Sequence, residues 1–357
     1  MTLNAIVTGG SGFLGHAVIL ALQKAHPEWN IYNLDLLPGK HDLPTVEYIQ
    51  ADITDASSVS TAFSKIKPTI TIHCAGIVPN GQTRYSTSPS ARSHVYAINV
   101  TGTHNVLSAA LTNGCAHFIY TSSCTVITDD VHHDYPAMRE DLPTGHASLV
   151  YGASKTHAEA AVLAANGTTG MTTCALRPST IIGPGDSYGV IATIHACIAN
   201  GETPFVIGSG HNMYDIVYVD NVAHAHVLAA ENLLARGRAA GQAFFVSNLE
   251  PVYFRDFMLA IWAHFGHRPR YQVRVPLGLA RVVGLLAEGV SWVTGRGMAL
   301  SRGSVLDAAG TRWADCAKAQ RVLGYEPVVG FAEGVRRACV DFERVLEERQ
   351  RGGKVSG

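Results

Sequence analysis

The sequence predicts an α/β fold: a doubly wound parallel sheet followed by a smaller C-terminal lobe. Three observations predict it. Short β-branched runs alternate with helical stretches over the first 180 residues. A glycine-rich turn joins the first of those runs to the first helical stretch. The chain is 357 residues long and 47% hydrophobic, more than one sheet domain needs and enough to bury the core of an added lobe.

The elements follow in order. Strands are expected at 5–8, 31–35, 46–50, 69–74, 117–122 and 172–176, where Val, Ile, Thr and aromatic residues cluster. Helices are expected between them at 13–25, 57–66, 91–112 and 152–166. Strands separated by helices of this length require crossover connections, hence a parallel sheet covered on both faces. A further helix is expected near 221–235 and a strand near 243–247, returning the chain to the sheet. The division expected is a nucleotide-binding core over 1–180 with later core segments near 214–248, a lobe over 181–345, and a flexible polar tail over 346–357. No internal repeat is visible, which excludes repeat architectures.

Charge narrows the function classes. A net charge of -1 provides no broad cationic field for nucleic acid. The charged fraction is 15%, against about 25% in ordinary soluble domains. The balance is uneven: residues 1–254 carry 11 basic and 18 acidic side chains, residues 255–357 carry 16 and 10. The seven cysteines form no C-x-x-C pair, so neither a disulfide framework nor a zinc site is expected. The N-terminus runs directly into a strand, and no secretory leader is expected. The expected location is intracellular, either cytoplasmic or peripheral on the cytosolic face of the endoplasmic reticulum.

Residues 276–295 form an amphipathic helix pattern. Leu279, Val282, Val283, Leu286, Val290 and Val293 share one face; Arg281, Gly284, Glu288 and Ser291 share the other. Two charges within the stretch argue against a spanning helix. Such a helix packs its apolar face on the protein's own core, lies in a membrane surface, or walls an apolar site.

Thr8-Gly9-Gly10-Ser11-Gly12-Phe13-Leu14-Gly15 follows the first strand and opens the first helix. The spacing G-x-x-G-x-x-G is a variant of the Rossmann fingerprint. Glycines permit the tight turn and a close approach of backbone to a pyrophosphate. The first-turn N–H groups, through Phe13, Leu14 and Gly15, face such an anion with a favourable dipole. Asp35 ends the second strand 20 residues after Gly15, where a carboxylate accepts from ribose hydroxyls and repels a 2′-phosphate. That selects NAD over NADP; Lys40 is the only cation close by. Asp52 and Ile53, after the third strand, reach the adenine edge, and Ala75 and Gly76, after the fourth, let backbone pass close to the cofactor.

Tyr151-Gly152-Ala153-Ser154-Lys155 places a phenol and an ammonium four apart, on one helical face. A cation beside a phenol stabilises the phenolate, turning a poor base into a useful one. Ser123, just past the fifth strand, adds a hydroxyl to hold a substrate oxygen. With these segments, Asn99-Val100-Thr101-Gly102-Thr103, the stretch Leu176 to Asp186 and the stretch Asp215 to Ala225, the chain resembles an extended short-chain dehydrogenase/reductase over essentially its whole length. Within that superfamily it resembles the 3β-hydroxysteroid dehydrogenases, especially the decarboxylating sterol-4α-carboxylate branch.

The resemblance implies a Rossmann-type core and a C-terminal substrate-binding lobe. It implies that Ser123, Tyr151 and Lys155 are catalytic, that Lys155 also bonds the nicotinamide ribose, that Asn99 helps position the helix or the cofactor side of the site, and that Pro178 lies by the nicotinamide. The activity implied is NAD-dependent oxidation of a ring 3β-hydroxyl in a sterol or triterpenoid, with carbon dioxide lost if the neighbouring carbon bears a carboxylate. An apolar small molecule is the expected partner, with peripheral membrane contact through 276–295 and a homodimer both compatible. Two rivals share much of this pattern: a nucleotide-sugar epimerase or reductase, and a dinucleotide-sensing regulator that catalyses nothing. No metal is expected, since His132-His133 and His224/His226 lack a third ligand at metal-site spacing.

Overall fold

The structure is a computed structural model describing residues 3–38, 43, 45–79, 81–86, 88–186, 189–235, 238–294 and 301–353. Its first half alternates β1 (Asn4–Thr8), α1 (Phe13–Ala25), β2 (Asn30–Asp35), β3 (Val46–Gln50), α2 (Ala56–Ile66) and β4 (Ile70–His73). Then come α3 (Pro89–Tyr96), a π turn (Ala97–Gly102), α4 (Thr103–Thr112), β5 (His117–Thr121), α5 (Val150–Ala164) and β6 (Thr172–Pro178). After a first excursion into the lobe, α6 (Val219–Ala235) and β7 (Gln242–Val246) return to the sheet.

The seven strands lie in the order β7-β6-β5-β4-β1-β2-β3, every neighbouring pair parallel. Strand order reverses between β1 and β4, which opens a crevice at their C-terminal ends, where Thr8 pairs with His73. The expected doubly wound core is therefore present. Val18, Ile19 and Leu22 of α1 pack with Val222 and Ala229 of α6 on one face. Val59 and Phe63 of α2, Val106 and Ala110 of α4, and Ala158 and Val162 of α5 cover the other. Burying both faces explains why the strands read as continuous apolar runs.

The expected single helix at 91–112 is broken by the π turn. Gly102 is the reason for the local fit: a Cβ there would meet Ile53 Cδ1 at 2.6 Å. The wider turn brings Asn99 inward, fully buried. Single π turns of this kind recur at functional sites.

The lobe is built from α7 (Phe254–His264), α8 (Leu277–Thr294), α9 (Arg302–Ala309) and α10 (Phe331–Gly353), with short strands between. Its core gathers Phe257, Ile261 and Trp262 of α7 with Ala338, Cys339 and Phe342 of α10. The fully buried Trp262 donates its indole N–H to the Ile194 carbonyl at 2.7 Å. The stretch expected to fray as a tail instead continues α10 to Gly353, braced by the ion pairs Arg344–Glu348 and Arg351–Glu347. Residues 354–357 lie outside the described residues.

The 276–295 pattern resolves against the core-packed reading. Ala280, Gly284 and Ala287 of α8 face the protein. A Cβ on Gly284 would come within 2.9 Å of the Ser301 main chain, and Glu288 accepts from the Arg302 N–H and side chain at 2.7 and 2.8 Å. The apolar stripe therefore points outward: Leu279 is 56% exposed, Leu286 65% and Val290 49%. Among the described residues no helix is long and apolar enough to cross a membrane.

Candidate active site

The cleft at the C-terminal edge of the sheet has a volume of about 2680 Å³. Ordinary ligand sites span about 300–1,000 Å³, so this one has room for a dinucleotide and a second ligand together. Gly9, Asp35, Asp52, Ala75, Ser123, Tyr151, Lys155 and Pro178 all line it, as do Gly12, Phe13, Leu14, Gly15, Ile53 and Gly76. Asn99 sits behind this wall.

At the turn, Gly9 has φ +71°, and a Cβ on it would meet the Ala75 Cα at 2.7 Å. Gly15 is tighter still: a Cβ there would fall on the Gly9 carbonyl. This is a cradle only glycine can form, with the N-terminus of α1 open beneath it. The Phe13 and Leu14 side chains turn towards the lobe core, leaving their main-chain N–H groups for an anion. Asp35 accepts from Ser11 N–H at 3.0 Å and Leu36 N–H at 2.7 Å, which fixes its carboxylate beside the turn. Asp52 is anchored by Thr54 at 2.8 Å. These residues fit a dinucleotide. Lys40 lies outside the described residues.

Asn99 clips three elements together. Its amide donates to the Ile77 carbonyl at 3.0 Å and the Ser154 hydroxyl at 3.1 Å, and its oxygen accepts from Ile77 N–H at 2.9 Å. The loop after β4 is thereby held against α5, the helix carrying Tyr151 and Lys155. A second clasp, the buried bidentate pair of Arg177 and Glu159 at 2.9 and 2.6 Å, pins α5 to β6. Ser123 accepts from Thr125 N–H at 3.2 Å.

The charges differ from the simple spacing argument. Lys155 donates to the Thr121 carbonyl at 2.6 Å and lies 4.4 Å from the Tyr120 ring centroid. Burial lowers its pKa to about 8, partly offset by Cys74 and Glu159. Around Tyr151, burial first and then Asp129 push the phenol above its ordinary value, while Ser123 and Arg84 pull it back. Lys155 sits one turn of α5 beyond Tyr151, and its ammonium is held by the Thr121 main-chain carbonyl.

Sequence reasoning passed over Arg84, Asp129 and Asp307. The Asp129 carboxylate accepts from Gly152 N–H at 2.8 Å and from Arg84 at 2.7 Å, and Arg84 also reaches Asp307 on α9 at 3.1 Å. No local motif marks them. Among the histidines, His226 is fully buried, donating to the Val222 carbonyl and facing the Thr121 hydroxyl, each at 2.8 Å. Among the described residues, no group of three or more His, Cys, Asp or Glu could hold a metal ion.

Comparison with known proteins agrees with this geometry. A family model described as the 3-beta hydroxysteroid dehydrogenase/isomerase family matches residues 6–277. The chain is 33% identical to the 3beta-hydroxysteroid-dehydrogenase/decarboxylase isoform 1 of Arabidopsis thaliana, over 97% of this chain and 81% of that protein. It is 32% identical to the decarboxylating sterol-4-alpha-carboxylate 3-dehydrogenase of Schizosaccharomyces pombe, over 96% of this chain and 99% of that protein. In fold it is similar to UDP-glucose 4-epimerase of Thermus thermophilus in complex with NAD: TM-score 0.71, 22% identity, 96% of this chain and 99% of that one.

Proposed function

The chain belongs to the 3-beta hydroxysteroid dehydrogenase/isomerase family, and from that premise we propose that it oxidises the 3β-hydroxyl of a sterol or triterpenoid with NAD. One observation carries the reading: the glycine cradle with its fixed Asp35 and the group Ser123, Tyr151 and Lys155 line one cleft. Asp35 meets the adenosine ribose, Asp52 and Ile53 the adenine side, and the turn from Gly9 to Gly15 the pyrophosphate. Ala75, Gly76 and Pro178 border the nicotinamide end. When bound, the nicotinamide accepts the hydride that leaves the carbinol carbon.

The residues of this chain handle the proton and the oxygen. Ser123 holds the substrate hydroxyl, and the Tyr151 phenolate takes its proton as the carbonyl forms. Lys155 serves the cofactor ribose and favours the phenolate once drawn from the Thr121 carbonyl. Where the neighbouring carbon bears a carboxylate, the product is a β-keto acid. Its C–C bond breaks, the electron pair passes into the ketone as an enolate, and carbon dioxide leaves. Ser123 and Tyr151 are placed to hydrogen-bond that enolate oxygen. The near full-length similarity to decarboxylating relatives supports this second step.

The outward face of α8 is assigned to a lipid surface. Arg268, Arg270 and Arg274 just before α8 and Arg281 on it are exposed, and the parallel strands Phe205–Ile207 and Val273–Val275 that lead into the helix leave Phe205 52% exposed. An exposed apolar face with exposed arginines on and just before its helix suits an anionic membrane. This supports a peripheral location on a cytosolic membrane face, where a lipid-like substrate is collected.

The test is incubation with NAD and a panel of 4-carboxysterols and simple 3β-hydroxysteroids, followed by product mass. Loss of two hydrogens together with carbon dioxide from the carboxysterols is expected. Turnover of UDP- or dTDP-sugars, with inert sterols, would overturn the reading.

A further inference from the structure

The tie between Asp129 and α5 is unusually close. Asp129 caps the short helix Thr125–Thr128, its side chain has no exposure, and its carboxylate meets the main chain one residue after Tyr151. Gly152 makes this approach feasible: a Cβ there would lie 2.5 Å from the Asp129 Cβ and 2.4 Å from the Thr125 carbonyl oxygen. Ser148, just before α5, donates to the Asp129 carbonyl through both its N–H, at 2.9 Å, and its hydroxyl, at 2.7 Å. The first turn of the Tyr151 helix is thus built on Asp129. Both partners of its carboxylate are N–H donors, which favour the ionised form against a burial that raises its pKa.

A buried carboxylate bonded to the turn that carries the phenol opposes the phenolate, so its charge has to be countered. Arg84, from the 3-10 turn Gly81–Tyr85, supplies the counter-charge. Its Nε goes to Asp307 of α9, which is also bound by the Tyr85 hydroxyl and by Arg312. Burial alone would raise the Asp307 carboxyl, but Arg312 and Arg84 hold it at about 2. Two arginines and two aspartates form a charge-balanced chain from the catalytic helix to the lobe. The lobe end of that chain, α9, also carries α8 through Gly284 and the Glu288–Arg302 pair.

We propose that Arg84 and Asp129 are positioning residues for Tyr151: Asp129 fixes the turn that carries the phenol, while Arg84 neutralises that carboxylate and joins it to Asp307, so that docking of the lobe helix completes the electrostatic surroundings of the acid–base group. This rests on the reading of Tyr151 as that group. The titratable and charged groups around the phenol include Asp129 after the short helix, Cys124 before it, Arg84 from the 3-10 turn, Tyr120 from β5 and Lys155 one turn along α5. Behind Arg84 stand Asp307, Tyr85 and Tyr214. Among the described residues, the Arg84–Asp129 pair joins a charge beside the phenol to the lobe through Asp307.

The test is an ultraviolet titration of the NAD-bound protein at the phenolate band, each variant read against the same variant carrying Tyr151→Phe. The difference isolates one tyrosine and needs no turnover. Asp129→Asn should lower the midpoint by about one pH unit, and Arg84→Met should raise it by about as much. Arg84→Lys should restore most of the shift, and the double variant should return near wild type. The pH profile of sterol oxidation should move in the same directions. If Arg84→Met fails to fold, Asp307→Asn, which leaves Arg84 to Asp129 alone, should lower the midpoint. Midpoints unmoved in folded variants, with activity merely reduced, would overturn the proposal. Full NAD-linked turnover in Tyr151→Phe would instead overturn the site reading beneath it.

Discussion

Asp35 accepts a hydrogen bond from the Ser11 main chain at 3.0 Å, so the carboxylate ending β2 and the glycine turn ending β1 form one rigid corner. The proposed function puts the ribose end of a dinucleotide at that corner. A 2′-phosphate placed there would face a fixed negative charge. NADP should therefore be used at least about tenfold less well than NAD, and Asp35→Ser should narrow that gap. The measurement is kcat/KM for both cofactors. Equal values in the wild type would contradict the role given to Asp35.

Tyr151→Phe should lower kcat by about 10²–10⁴-fold while leaving the NAD dissociation constant within a few-fold. Lys155→Met should weaken both kcat and NAD binding, because the role proposed for its ammonium serves both the cofactor ribose and the phenolate. Oxidation needs the phenolate, so the wild-type rate should rise with pH through the titration of Tyr151. Steady-state kinetics with equilibrium dialysis separates the two variants.

Two buried histidines make acid stability a third test. Burial lowers His226 to about 4 and His73 to about 3, the latter also opposed by Lys155. The unfolded chain binds their protons near pH 6.5, so below that pH it holds more protons than the native state. Stability is thus full above about 6.5 and falls as pH drops towards 4, by about 3 kcal/mol for His226 at about 1.4 kcal/mol per unit. Melting temperatures across pH 4–8 should show this loss, and His226→Gln should flatten it. An unchanged slope in that variant would assign the loss elsewhere.

The orientation of α8 gives a fourth. Leu286→Glu should reduce co-sedimentation with anionic vesicles several-fold without lowering the melting temperature, since Leu286 is 65% exposed. Gly284→Val should do both, because a side chain there strikes the Ser301–Arg302 main chain. Vesicle binding unaffected by Leu286→Glu would remove the lipid surface from the account.

Much of this was legible in the chain itself. The β-branched runs ending at Thr8, Asp35 and Thr121 locate the sheet because a doubly covered strand is apolar on both sides. The glycine turn and the Tyr151–Lys155 spacing are local features, and local geometry survives folding. What escaped is long-range or directional. Arg84 and Asp307 meet across 223 positions, and nothing near either foretells the other. A stripe at helical spacing identifies the apolar face of α8 but not which way it points. Small residues opposite it, Ala280, Gly284 and Ala287, were the missed signal, since they allow the close inward approach. Lys155 kept its position on the helix, but the Thr121 carbonyl, 34 residues away, competes for its ammonium.

The most direct measurement follows the hydrogen itself. A 3β-hydroxysterol deuterated at C3 is incubated with NAD and the protein, and both products are read by mass. The account predicts a 3-ketone without deuterium and reduced NAD carrying it, both lost in Tyr151→Phe. Deuterium retained in an unreacted sterol, with cofactor reduced only by a nucleotide sugar, would contradict it.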